Sequence, residues 1–316
     1  MVREIRFGTR ESDLAVAQTR LVMGIIAKAH PEFSLRLVTM KTRGDLYPEL
    51  PLESGGAGGK DLFTGALEQA LLKNEVDLCV HSLKDMAMEQ DDLLPIVGMA
   101  KRGDPRDMLI LPKAPETGNP ENFTELSPGR ALPLRQPGIA PVGCSSMRRR
   151  IQLLVRAPEL TVAPIRGNVP TRLAKLDQGQ FGALILAAAG IQRLGIKDRR
   201  GYYFSVRDMV PAAGQGVLAL QGRRGEDYAF LDALRDPVTE EEAGTERRVI
   251  RTLGGGCHFP AAAFARISGT EIVIIAIYAA GAASPFYREE ISGDRDRKFE
   301  LAESLARRLL SGREEQ

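Results

Sequence analysis

The chain is predicted to be an α/β protein with two domains of parallel-type sheet and a crossover between them, followed by a small α+β C-terminal domain. Three observations predict it: alternating strand-like and helix-like segments over the first hundred residues, a second such run after residue 140, and a change of texture from Thr239. In the first run Ile5-Arg6-Phe7 reads as a strand, Leu14 to Ala29 as an amphipathic helix and Leu35 to Met40 as a strand. A glycine-rich loop covers Ser54 to Lys60, then Leu62 to Leu72 reads as a helix and Val76 to His81 as a strand. The stretch Lys101-Arg102-Gly103-Asp104-Pro105-Arg106-Asp107 interrupts the alternation as a hinge or crossover. In the second run a strand ends at Gly143 and a helix starts at Ser145. A strand ends at Ile165 and a helix starts at Asn168, and the strand Ala183 to Leu186 leads into a short helix to Leu194. Long structureless loops are uncommon in compact domains, so the Pro/Gly-rich insertion from Pro112 to Pro137 is either mobile or specific to this protein, and Val217 to Leu220 reads as a strand returning to the first sheet. A charged helix from Thr239 to Leu253, antiparallel strands near Ile272 to Ile277 and a helix from Phe299 to Leu310 form the third domain. The expected boundaries are 1–100 with 217–235, then 105–212, then 236–316.

A chain of 316 residues exceeds one ordinary core, which agrees with several domains. The net charge of +2 excludes a global nucleic-acid field, so any anion site is local. Three scattered cysteines make no disulfide framework, and with a charged N-terminus and no long apolar run they predict a cytoplasmic protein without a membrane span. No Cys/His spacing suits a metal.

The chemistry concentrates at βα junctions. Ser145-Ser146-Met147-Arg148-Arg149 places hydroxyls and forked donors at a predicted helix N-terminus, where carboxylates bind well. Arg166-Gly167-Asn168, with Arg172, repeats the arrangement, and Arg193 closes the next unit. In open α/β sheets ligands bind beyond the carboxyl ends of strands, where these groups fall. The alternative is solvated helix ends. Arg10 and Ser12 lie at the first junction, and His81-Ser82-Leu83-Lys84-Asp85 follows a buried strand. Asp85 reads as a proton-handling or cation-stabilising carboxylate, or as a turn residue, while His81 reads as structural. Gly214-Gln215-Gly216 precedes a strand instead of following one, so it is no dinucleotide fingerprint. Gly254-Gly255-Gly256-Cys257 presents a thiol on a permissive loop, as nucleophile or attachment point. Cys144, at a helix N-terminus that lowers thiol pKa, is its rival, and Cys79 reads as core.

Together these blocks resemble the hydroxymethylbilane synthase (porphobilinogen deaminase) family over nearly the whole chain. Thr9-Arg10-Glu11-Ser12, Thr42-Arg43-Gly44-Asp45, Gly58-Gly59-Lys60 and Val80-His81-Ser82-Leu83-Lys84-Asp85 carry the resemblance in the first part. Asp104-Pro105-Arg106-Asp107, Ser145-Ser146-Met147-Arg148-Arg149, Arg166-Gly167-Asn168-Val169, Gly214-Gln215-Gly216 and Gly255-Gly256-Cys257 carry it in the rest. The resemblance implies two periplasmic-binding-protein-like domains and a small third one. It also implies a transferase that condenses four porphobilinogen molecules head to tail, with loss of ammonia at each step, and then releases the linear tetrapyrrole by hydrolysis. The implied cofactor is a dipyrromethane primer in thioether linkage to Cys257. By the same resemblance Asp85 is catalytic. Lys84, Ser82, Ser145, Ser146, Arg148, Arg149, Arg172 and Arg193 hold the cofactor and growing chain. Arg10, Ser12, Gln18, Lys60, Phe63 and Arg166 serve the monomer, with Lys60 and Phe63 on a mobile loop. A monomer is expected, with porphobilinogen as its partner and neither nucleic acid nor membrane.

Departures are Glu53-Ser54-Gly55-Gly56-Ala57 before Lys60, Asp13 where proline is common, Met86-Ala87 in place of Val-Pro, and His258-Phe259 after Cys257. The competing readings are a non-catalytic polycarboxylate-binding protein with the same cleft, which needs the arginines but not Cys257, and a cysteine hydrolase. The hydrolase needs a histidine base, and only His30, His81 and His258 are available.

Overall fold

The structure, a computed structural model, describes residues 3–42, 64–113, 123–126, 132, 134, 140–255, 260–279, 281 and 286–312. Cys257, Lys60 and Phe63 lie outside the described residues. The chain divides into two compact units, 1–103 with 217–244 and 104–216 with 245–316.

In the first unit β1 (Glu4–Arg10) leads into α1 (Asp13–Ala29) and β2 (Ser34–Met40). After residue 63 come α2 (Gly65–Leu72), β3 (Leu78–Ser82) and β4 (Ile96–Met99). The Ser12 hydroxyl caps α1 by accepting from Ala15 N, Asp13 complements the dipole at that end and Lys28 does so at the other. Gln18, Val22 and Ile26, four residues apart, form the buried stripe of α1 against Ile5, Phe7, Leu78 and Val80. Most of β3 is buried, as a central strand covered on both faces requires.

The second unit runs through β5 (Asp107–Ile110), β6 (Phe123–Glu125), β7 (Val142–Gly143) and α3 (Met147–Arg156). It continues with β8 (Val162–Ala163), α4 (Val169–Asp177), β9 (Ala183–Ala187), α5 (Ala188–Arg193) and β10 (Gly201–Tyr203). The chain then supplies β11 (Leu218–Gln221) to the first unit. α6 (Pro237–Thr252), β12 (Ala261–Ser268), β13 (Glu271–Ala279), β14 (Phe286–Asp294) and α7 (Lys298–Ser311) follow.

The sheet orders are β2-β1-β3-β11-β4 and β6-β10-β5-β9-β7-β8, with a separate β12-β13-β14 sheet. In each large sheet three neighbouring strands run parallel, β2-β1-β3 in one and β8-β7-β9 in the other. A strand from a distant part of the chain then pairs antiparallel beside them, β11 in the first sheet and β5 in the second. The expected return of residues 217–220 to the first sheet is therefore present. The fold is the expected mixed α/β class with a small α+β sheet at the end.

One expectation is corrected in detail. The strand expected to end at Ile165 is only Val162–Ala163, and Ile165 instead packs in the core with Leu173 and Leu184. Within the insertion β6 pairs parallel to β10 and widens the second sheet by one strand. Phe123 packs edge-on to Tyr203, and Glu125 forms an ion pair with Arg106 of the crossover. Arg106 also grips Asp104 and lies 4.1 Å from the centre of the Tyr203 ring.

β12 to β14 form a meander in which Ile272, Ile274, Ala276 and Tyr278 are buried and α7 supplies Ala302, Leu305 and Leu309. Phe264, Ile275 and Ile277 pack with Ile151 of α3 and Val210, so the small sheet shares a core with the second large sheet.

Candidate functional site

In the first unit the predicted residues gather at the carboxyl ends of β1 and β3. Arg10 ends β1, and the buried Gln18 of α1 donates to Ser82 Oγ at 3.1 Å, fastening that helix to the end of β3. Leu83–Asp85 forms a single 3-10 turn. Leu83 and Met86 are buried in one cluster with Val217, Ala219 and Ala243, while Asp85 between them is exposed. Leu83 N donates to Val217 O at 3.0 Å, so the turn hangs from β11. Two apolar anchors hold the backbone and leave a carboxylate projecting, with no hydrogen bond to it among the described residues.

His81 is the reverse case. It is 7% exposed and its Nε2 is buried without a partner. Burial pushes the imidazole down to about 4, opposed by the Gln221 amide and reinforced by the charge of Arg10. A neutral, structural histidine agrees with the sequence reading. Its value in the unfolded chain is about 6.5, so as pH falls the unfolded chain takes the proton first. The stability His81 contributes is present above pH 6.5 and is lost as pH falls toward 4. Between pH 7 and pH 5 this amounts to about 2 kcal/mol, above the range in which carboxylates titrate. Urea unfolding at both pH values is expected to show that loss and His81→Asn to remove most of it; an unchanged pH slope in the variant would contradict the assignment.

In the second unit Gly143, Ser145 and Ser146 form the junction between β7 and α3. A Cβ on Gly143 would stand 2.5 Å from Leu184 Cδ2 and 3.0 Å from Phe181 Cδ1, so a larger residue would force these core side chains to shift. Ser145 Oγ donates to Ile165 O at 2.6 Å and accepts from Ile165 N at 2.8 Å, so its hydroxyl is used to join the ends of the two βα units. Ser146 is the N-cap residue of α3 and its side chain makes no capping bond, which leaves the hydroxyl available.

Arg148 and Arg149 are not solvated helix-end side chains; they are 5% and 8% exposed. Between them and β5 sits Asp107, fully buried. Arg148 Nη1 donates to Asp107 Oδ2 at 2.6 Å and to Val210 O at 2.8 Å. Arg149 donates to Asp107 Oδ1 through Nε at 3.0 Å and Nη2 at 2.8 Å, and through Nη1 to Ile185 O at 3.1 Å. Burial alone pushes the Asp107 carboxyl up, but the two guanidiniums outweigh it and hold the group well below the usual carboxylate range. Gln215 Nε2 completes the cluster by donating to Asp107 Oδ1 at 3.0 Å and to Pro105 O at 2.6 Å. Two guanidiniums against one carboxylate leave this buried group with a net positive charge.

Arg166 and Arg172 flank the next junction. Gly167 has φ +111° and a Cβ there would meet Thr171 Cγ2 at 2.7 Å, so glycine is required on both counts. Asn168 caps α4 by accepting from Thr171 N at 2.9 Å, and Arg172 Nε donates to Gly167 O at 2.7 Å. Arg193 Nη2 donates to Gly216 O at 2.6 Å, its only polar partner among the described residues. Burial pushes this guanidinium down to about 10, and no carboxylate opposes the fall. A half-buried arginine with only a carbonyl partner is a seat for an external anion.

Cys144 requires a correction. The thiol is 4% exposed in an apolar cluster, with Sγ 3.6 Å from Ser146 O. Burial pushes it up, and the nearby Arg149 does not offset that. Desolvation outweighs the helix N-terminus, so Cys144 is no rival nucleophile. Cys79 is fully buried core, as expected.

Sequence reasoning missed Asp107 and Gln215 as individual residues, although both stood in quoted blocks. The available signal was an acidic residue opening the apolar strand Asp107–Ile110, since a buried acid needs a cationic partner. Among the described residues no group of acidic, histidine or cysteine side chains could hold a metal, and no helix is long and apolar enough to cross a membrane.

The sequence profile described as "Porphobilinogen deaminase, dipyromethane cofactor binding domain" matches residues 5–230, and that of the "Porphobilinogen deaminase, C-terminal domain" matches residues 241–311. The chain belongs to the porphobilinogen deaminase family. Relatives named porphobilinogen deaminase include that of Ruminiclostridium josui, 42% identical over 99% of both chains. Another is that of Acetivibrio thermocellus, 42% identical over 98% of this chain and 99% of that one. A looser likeness is to the BenM effector-binding domain with its effector benzoate. It has a TM-score of 0.41 and 14% identity, covering 73% of this chain and 88% of that chain. The porphobilinogen deaminases are transferases, and the region matched by the first profile is the one described as binding the dipyrromethane cofactor.

Proposed function

We propose that the chain is a hydroxymethylbilane synthase, joining four porphobilinogen molecules head to tail on a dipyrromethane primer and releasing the linear tetrapyrrole by hydrolysis. In this reading it works in the cytoplasm as a monomer of three domains, and Cys257 carries the primer. The observation that carries the binding half of the proposal is Arg193, a half-buried cation with no carboxylate of its own. Together with the net positive charge at Arg148 and Arg149, it fits a ligand bearing several carboxylates.

When bound, the dipyrromethane would supply the free pyrrole carbon that takes the first monomer, from which the chain grows. The protein's own residues do the rest. Arg148, Arg149, Arg172 and Arg193 take acetate and propionate groups of the primer and growing chain, and Lys84, Ser82 and the Ser146 hydroxyl serve the same ligand. Ser145 acts at one remove, by joining the strand ends. Arg10, Ser12, Gln18 and Arg166 serve the monomer, along with Lys60 and Phe63, and Gln18 also fixes Ser82. Asp85 presents negative charge to the pyrrole nitrogen as ammonia leaves, when positive charge develops there. A carboxylate already in place needs no reorganisation at that moment, which makes such stabilisation a large catalytic contribution.

The intact mass of purified protein tests the attachment. The active wild type is expected to be heavier than its sequence by two linked pyrrole units, and Cys144→Ser equally so, whereas Cys257→Ser loses the increment. An active protein of unmodified mass would falsify the primer reading, and an inactive protein of unmodified mass would leave the non-catalytic polycarboxylate-binding alternative.

A further inference from the structure

Asp107 makes no contact that the proposed chemistry requires, yet it is a fully buried charged group of the second unit. It opens β5 directly after the crossover, with both oxygens taken by the two guanidiniums and Gln215. Each arginine is held from more than one side. Arg148 is fixed by Asp107, Val210 O and, at 3.4 Å, Gln215 Oε1. Arg149 is fixed by Asp107 and Ile185 O. An arginine fork gains most from a carboxylate when its plane is set beforehand, because less side-chain freedom is then lost on binding. Asp107 also offsets one of two neighbouring positive charges, so the pair remains buried without being neutralised.

We propose that Asp107 is a positioning residue for the cofactor: it fixes the planes of Arg148 and Arg149 so that the two guanidiniums meet cofactor carboxylates at little cost in order. This rests on the reading that these arginines hold the cofactor, and it assigns Asp107 no contact with the cofactor itself. A tethered cofactor stays attached when the chain unfolds but meets the arginines only in the folded protein, so those contacts stabilise the folded state and the holo-minus-apo increment in melting temperature reports how well the arginines are placed.

The test measures melting temperature for cofactor-loaded protein and for its Cys257→Ser apo counterpart, with loading checked by intact mass, in the wild type, Asp107→Asn and Arg149→Lys. Asp107→Asn is expected to lower both temperatures and also to shrink the increment to about half or less of the wild-type value. A structural counterion would lower both temperatures equally, and an unchanged increment in Asp107→Asn overturns the positioning role. An unchanged increment in Arg149→Lys, or a wild type without the added mass, instead overturns the reading on which the proposal rests. If Asp107→Asn does not fold, Asp107→Glu keeps the charge but moves the oxygens. A reduced increment in that variant supports positioning and an unchanged one overturns it.

Discussion

Asp85→Ala is expected to abolish turnover while the protein folds and melts as the wild type does. The two halves of this expectation have separate physical grounds. Stability is spared because the carboxylate is exposed and makes no hydrogen bond among the described residues, while the turn is held by buried Leu83 and Met86 and by the bond from Leu83 N to Val217 O. Substitutions of this kind change stability by about 0.5 kcal/mol or less. Turnover is lost on the proposed role of Asp85, in which the carboxylate stands ready where positive charge develops. Removing one such preorganised group typically costs about 10²- to 10³-fold, and here each product needs four additions. Asp85→Asn keeps the shape and removes the charge, so it is expected to fail as Asp85→Ala does. The measurements are tetrapyrrole formation in a single-turnover assay and the thermal melt of the same preparation. Near-normal formation of product in either variant would remove Asp85 from its catalytic role.

Much of this arrangement was legible in the chain. The Ser12 cap with its stripe of Gln18, Val22 and Ile26 is a local pattern, and α1 follows from it. The placing of arginines at the ends of strands was legible for the same reason, since strand, glycine, cap and arginine are neighbours in sequence. The condition of those arginines was not. Arg148 and Arg149 are buried because Asp107, 41 and 42 residues earlier, is folded against them, and no local pattern carries a contact of that separation. Cys144 shows the same limit from the other side. A thiol at a helix N-terminus suggests a low pKa, but the apolar cluster around it comes from Leu109, Leu126, Ile185 and Phe204, all remote in sequence. The strand inside the insertion was hidden because Pro and Gly dominate its flanks. Its three residues gain their order from pairing with β10 and not from propensity.

The largest stability effect is expected at Glu246, a residue without any catalytic assignment. Its side chain, fully buried on α6, accepts from Gly214 N at 2.7 Å through Oε2 and from Ala265 N at 2.9 Å through Oε1. One carboxylate thus ties the segment between β10 and β11, where Gly214 has φ +75°, to β12 of the small sheet. Both of these backbone N–H groups are buried, and removing the carboxylate takes away the acceptor each one uses. Leaving two such donors unpaired costs about 1–3 kcal/mol each, so Glu246→Ala is expected to lose about 4 kcal/mol. For a chain of this size that is a fall of roughly 8 °C or more in melting temperature. Glu246→Gln keeps one good acceptor and faces the second N–H with an amide group, so it is expected to recover only part of the loss. The consequences reach the site, because Gln215 and Gly216 follow Gly214 directly and hold Asp107, Arg148 and Arg193. Glu246→Ala protein that still folds is therefore expected to show reduced cofactor loading by intact mass, although Glu246 touches none of the arginines' predicted ligands. A variant melting within about 2 °C of wild type would show that the two N–H groups find other partners and that the carboxylate is not the tie described here.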